Sequence, residues 1–136
     1  MNRKTISLNR SILFAVLVGL SLAPPGCTPS LIGENAAVYS MGKLHARVDR
    51  DMDSVYEATV AALEQLEITV SKHEKDIFAA RILGKTADEQ PITIRINPES
   101  ETSTTISIYT GVLGNEMRAR SIYEKIREIL GPAGDG

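Results

Sequence analysis

The feature that most restricts what this chain can become is an alternation of apolar and polar residues at a period of two. Leu44, Ala46 and Val48 alternate with Lys43, His45 and Arg47, and Ile92, Ile94 and Ile96 with Thr93 and Arg95. Ile106 and Ile108 repeat the pattern further on. This spacing puts every second side chain on one side of a pleated strand and suits a sheet with one covered face. Strands are expected over about 39–48, 68–73, 77–85, 92–96 and 104–110. Ile68 and Val70 are expected to point inward, whereas the third segment holds Ala79, Ala80 and Gly84 and leaves its inward side ambiguous. Asp88 to Pro91 and Asn97-Pro98-Glu99-Ser100 read as turns, rich in residues that bend the backbone.

Two further segments carry a helical period. From Met52 to Leu66 an apolar stripe runs through Val55, Thr59, Ala62 and Leu66, widened by Met52, Tyr56 and Leu63. Asp51 stands where an N-cap acceptor is needed. From Glu116 to Leu130 the stripe is Ala119, Ile122, Tyr123, Ile126, Ile129 and Leu130, and Gly131-Pro132 is a stop signal. The order βαββββα, with short turns between successive strands, predicts an α+β domain. It would be an antiparallel sheet of about five strands with two helices on one face, over residues 39–131. With no Trp and two Phe, its core must rest on Ile, Leu, Val and Ala.

The N-terminal segment has another character. Met1 to Arg10 is basic, Ser11 to Ala23 is an apolar run, and a Pro-containing stretch follows. Thirteen helical residues span only about 20 Å against a hydrocarbon core of about 30 Å, so a cleaved export signal over residues 1–26 fits better than a permanent span. Ser21-Leu22-Ala23 offers an ordinary signal-peptidase site, but Pro24 after it lacks an N–H and makes a poor substrate. The other reading is lipid modification. Gly26-Cys27 after the apolar run resembles the bacterial lipobox, although Pro24 occupies the place where Leu is typical. Cys27 is the only cysteine, so no internal disulfide can form, and lipidation accounts for a thiol that is otherwise odd in an exported protein. The competing reading is an unmodified cysteine in a leader. Lipid attachment at Cys27 would make residues 27–38 a lipidated tether and tie the protein to a membrane; at the other end, residues 132–136 are expected to be a disordered tail. By resemblance to lipoprotein sorting in Gram-negative bacteria, Thr28 after the cysteine implies the outer membrane, facing the periplasm.

Residues 39 to 130 resemble a family of small bacterial lipoproteins known only as a domain of unknown function, number thirty-five sixty-eight. The residues that carry the resemblance are Gly42, Val55-Tyr56-Glu57-Ala58-Thr59 with Ala62-Leu63, Ile68-Thr69-Val70, Ile92-Thr93-Ile94, Gly111 to Glu116, and Ile126 to Leu130. The resemblance implies the lipoprotein setting and no activity.

Catalytic and cofactor chemistry find little purchase. His45 and His73 have no partner at metal-ligand spacing, and His45 falls in an outward row with Lys43 and Arg47. There is no G-x-S-x-G elbow. The loop Gly111-Val112-Leu113-Gly114-Asn115-Glu116 lacks the pattern and the Lys of a phosphate loop, and Glu116 would repel phosphate. Asp88, Glu89, Glu99 and Glu101 are expected to be solvated turn residues. Without residues 1–26 the chain has 12 basic and 17 acidic residues, a net charge of −5, and no sequence cluster of Lys and Arg for nucleic acid. The expectation is a non-catalytic envelope lipoprotein without cofactor or metal, acting as a protein-binding or structural module. Gly111, Gly114, Asn115 and Glu116 form its candidate contact loop, and another envelope protein its candidate partner. The alternative is a periplasmic binding domain for a small apolar ligand or lipid, with space left by Ala79, Ala80 and Gly84.

Overall fold

A computed structural model describes residues 37–132. The expected signal, Cys27, nearly all of the tether, and the tail beyond Pro132 lie outside the described residues. The elements in chain order are β1 (Val38–Ser40), β2 (Lys43–Val48), α1 (Met52–Gln65), β3 (Thr69–Lys75), β4 (Ala80–Lys85), β5 (Pro91–Ser100), β6 (Ser103–Thr110) and α2 (Glu116–Leu130). All strands pair antiparallel in one sheet of order β1-β2-β6-β5-β4-β3. The two helices pack side by side against one face of it.

The sheet has six strands instead of five because the first expected strand divides. Ser40 pairs with Lys43, which leaves Met41-Gly42 as a two-residue hairpin turn. Both residues have positive φ, 52° and 79°, the combination whose twist matches the flanking strands. Asn-Gly announces such a turn and Met-Gly does not, so the break was not legible.

A second difference lies at Asn97 to Ser100. These residues do not form the turn; they prolong β5, and the chain reverses only at Glu101-Thr102. Pro98 has no N–H to give a ladder, and the register slips between Pro98 and Ser100. The bulge thus absorbs the proline that suggested a turn.

The covered face is largely aliphatic. Leu44, Ile82, Ile94, Ile96, Ile106 and Ile108 are wholly buried, and meet Val55, Ala62 and Leu63 of α1 and Ala119, Ile122 and Ile126 of α2. Each such Ile or Leu contributes about 1.5–3 kcal/mol relative to exposure. Asp51 caps α1, its carboxylate accepting from the Ser54 N–H at 2.9 Å and the Ser54 hydroxyl at 2.6 Å. Those two donors hold the Asp51 carboxyl below the usual carboxylate range. At the other end of α2, the Arg50 guanidinium donates to the Leu130 and Pro132 carbonyls, where a cation suits the negative end of a helix. The β3 edge is long and exposed but bears Lys72, His73, Glu74 and Lys75, and its register shifts between Val70 and Lys72. Charge and bulge both discourage pairing with another chain.

Candidate functional site

The expected contact loop sits at one end of the sheet, between β6 and α2, and its backbone is firmly held. Gly111 takes φ 75° and donates its N–H to Pro91 O at 2.8 Å. The Thr110 hydroxyl donates to Asn115 O at 2.7 Å, and Tyr109 Oη donates to Val112 O at 2.5 Å. Asn115 caps α2 by accepting from the Arg118 N–H at 3.0 Å. Gly114, at φ 86°, lies so close to the β1–β2 turn that a Cβ there would sit 2.7 Å from Gly42 Cα and O, and 2.6 Å from Tyr39 Oη. Two stretches about seventy residues apart therefore meet through glycines.

What this rigid backbone displays is apolar. Met41 is 96% exposed, Leu113 92%, Met117 80% and Val112 73%. Asn115 and the glycines serve geometry, and Glu116 faces Arg120 at 2.7 Å in a surface ion pair. Sequence reasoning singled out the glycines, Asn115 and Glu116, and missed the side chains that face outward, Met41 above all. Exposed Val112-Leu113 beside a turn was the available signal.

The family described as "Protein of unknown function (DUF3568)" matches residues 10–129. The chain belongs to this family. Within the DUF3568 domain seen here, two features behind the resemblance, Gly42 and the Gly111–Glu116 loop, are in contact. No curated protein matches the chain.

The open face of the sheet is a second candidate, and sequence reasoning overlooked it. Lys43 and His45 on β2, Arg81 on β4, Thr93, Arg95 and Asn97 on β5, and Ser107 and Tyr109 on β6 line a shallow depression of about 610 Å³, with Met41 at its rim. The cations lie far apart along the chain, and only strand order gathers them. His45 Nδ1 is 3.0 Å from Ser107 Oγ. Arg47 nearby is engaged by Ser103 Oγ at 2.8 Å and Glu99 at 3.4 Å.

His73 is placed away from this face, its Nδ1 2.7 Å from Tyr56 Oη, with the two rings stacked. Among the described residues, no group of three His, Cys, Asp or Glu side chains is arranged to hold a metal ion. The acidic turn residues engage neighbours. Asp88 accepts from the Thr86 hydroxyl at 2.5 Å and from Arg118 at 3.3 Å, and Glu99 from Thr105 at 2.5 Å. The Thr86 hydroxyl, with help from Arg118, holds the Asp88 carboxyl low, the opposite of what proton donation to a substrate requires.

The space expected beside the small residues of β4 is occupied. Ala80 is buried in the core, and a Cβ on Gly84 would lie 3.0 Å from Thr69 O and 3.3 Å from Ile68 Cγ2. Ile68 and Thr69 fill the volume that Gly84 leaves.

Proposed function

We propose that this protein is a lipoprotein of the bacterial cell envelope, anchored through a diacylglyceryl group on Cys27 and facing the periplasm, whose folded body is a non-catalytic protein-binding module. The contact surface is the end formed by Met41 with Val112 and Leu113. One observation carries this reading. Met41 holds a left-handed backbone conformation that favours Gly and Asn, with φ 52°, yet its long apolar side chain is 96% exposed. The backbone conformation costs stability and the exposed side chain gains none on folding, whereas a partner that buries the side chain would recover that gain. Methionine suits such a role because it is flexible and polarizable. The backbone beneath is pinned by Gly114 against Gly42, so little ordering entropy is lost on binding. A pocket for a small apolar ligand has no comparable support, because the sheet–helix space is filled by Ile68 and the buried isoleucines.

Two measurements test the reading separately. Radiolabelled palmitate should enter the wild-type chain and not Cys27→Ser; equal labelling would remove the anchor. A photo-crosslinking residue at position 113 should capture a discrete envelope protein in intact cells, whereas the same probe at exposed Glu57 on α1 should not. Identical patterns at both positions would remove the contact surface.

A further inference from the structure

We infer that the open face of the sheet is a binding site for a small, elongated polyanion of the diphosphate type, one anionic group held by Arg81 and Arg95 and the other by Lys43 and His45. The inference does not depend on the lipid anchor or on the apolar end of the molecule.

Charge comes first. Of the five depressions described on this surface, this is the one lined by no carboxylate; the other four each include at least one Asp or Glu. That composition stands out on a chain whose acidic residues exceed its basic ones, 17 to 15. Register comes second. Arg81 and Arg95 are direct cross-strand partners, Arg95 in turn pairs with Ser107, and Ser107 with His45. Like charges directly opposite each other destabilise a sheet. Among the described residues, the Lys43 side chain on β2 has neither an ion pair nor a hydrogen bond, and no ion pair or hydrogen bond of Arg95 relieves its contact with Arg81. An anion between them would do so, and a guanidinium presents a planar fork that fits a phosphate with two parallel hydrogen bonds.

Spacing selects the ligand. β5 and β2 flank β6, so the two cationic poles stand about two strand spacings apart, or about 10 Å before the long side chains lean inward. A single phosphate reaches one pole, and an elongated polyanion reaches both. Ser107 and Tyr109 on β6 provide hydroxyl groups between the poles, and Thr93 and Asn97 flank Arg95 on β5. The field is also bounded. Glu74 is the cross-strand partner of Arg81 on the β3 side, and Glu99 sits with Arg47 near the other end of the strands. Those carboxylates oppose a long polymer such as nucleic acid and leave room for a short ligand.

The test is calorimetric titration of the full chain, purified in detergent at low ionic strength, with sodium pyrophosphate, inorganic phosphate, glycerol phosphate and a single-stranded oligonucleotide. Pyrophosphate should bind about tenfold or more tighter than either monophosphate, the scale of one added charge-assisted hydrogen bond. The affinity should fall as salt is raised. Arg95→Gln and Lys43→Gln should each weaken binding by about tenfold, and Arg120→Gln on α2 should leave it unchanged. Equal affinity for pyrophosphate and the monophosphates overturns the two-pole site. So does an unchanged affinity in both Arg95→Gln and Lys43→Gln, or tighter binding of the oligonucleotide.

Discussion

On β5, Ile94 is wholly buried beneath the helices while the next residue, Arg95, stands on the open side across from Arg81. The two faces of the sheet are built from alternate residues of the same strands, yet different forces govern them. The covered face is a closed packing problem of Ile, Leu, Val and Ala, where each methylene lost leaves a void. The open face is a field of Arg, Lys, His and hydroxyl groups in contact with water, where single changes matter little to folding. Stability therefore resides on one side, and the other is free to carry charge arrangements that folding alone would not select.

Unfolding measurements on single variants put this division between the two faces to the test. The largest effect should come from the covered face. Ile94→Ala is expected to lose about 2–5 kcal/mol in urea unfolding, because its neighbours are already close-packed. A loss no larger than that of the open-face variant Arg95→Gln would mean that the core is looser than its burial indicates. Gly114→Ala should follow, at about 1–3 kcal/mol for the left-handed backbone and more if the overlap with Gly42 is not relieved. Gly131→Ala meets backbone strain of its own, at φ 71° and ψ −174°, but has open space around its Cβ, so its loss in the same titration reports backbone strain without a packing clash.

Asp51→Ala should cost about 1 kcal/mol at neutral pH. Because the folded Asp51 carboxyl is held below its unfolded value, its contribution is present above the unfolded carboxyl range, near about 4, and disappears as pH falls through the lower folded value. The gap in melting temperature between wild type and variant should thus close on acidification; a gap that widens at low pH would contradict the capping account. Met41→Asn should raise stability by a few tenths to about 1 kcal/mol, since Asn tolerates the left-handed turn. No gain in its melting temperature would weaken the argument that Met41 is kept for contact. Smallest of all, Arg95→Gln should fall within about 0.5 kcal/mol of wild type, with a slight gain from relief of the Arg81 contact. A loss comparable to Ile94→Ala would show the open face to be structural.

Much of the covered face was legible in the chain. Ile92, Ile94, Ile96, Ile106, Ile108, Leu44 and Ala46 were expected inward, and all are buried. Asp51 and Gly131 cap α1 and α2 as their positions suggested. The misreadings came where a local signal was ambiguous or outweighed. Met-Gly formed a turn that lacks the usual residues, and Pro98 was accommodated by a bulge inside a strand. Val70 is only partly buried on β3, because an edge strand has little of the helices above it.

Of the candidate sites, the Gly111–Glu116 loop was visible because glycines and a cap residue punctuate a chain locally. Its contact with Gly42, and the exposure of Met41 beside it, depend on a hairpin folded at the opposite end of the sequence.

Taken alone, the order of residues determined the period of each segment, the side of each strand that must leave water, and the ends of both helices. These are local properties, set within a few residues by sterics and by apolar area. Strand order was decided only in three dimensions, and with it the gathering of Lys43, His45, Arg81 and Arg95 on one surface. Hydrophobic burial tells a strand which face to turn inward and says nothing about which strand becomes its neighbour; that choice follows from turns, helix crossings and the shape of the whole core.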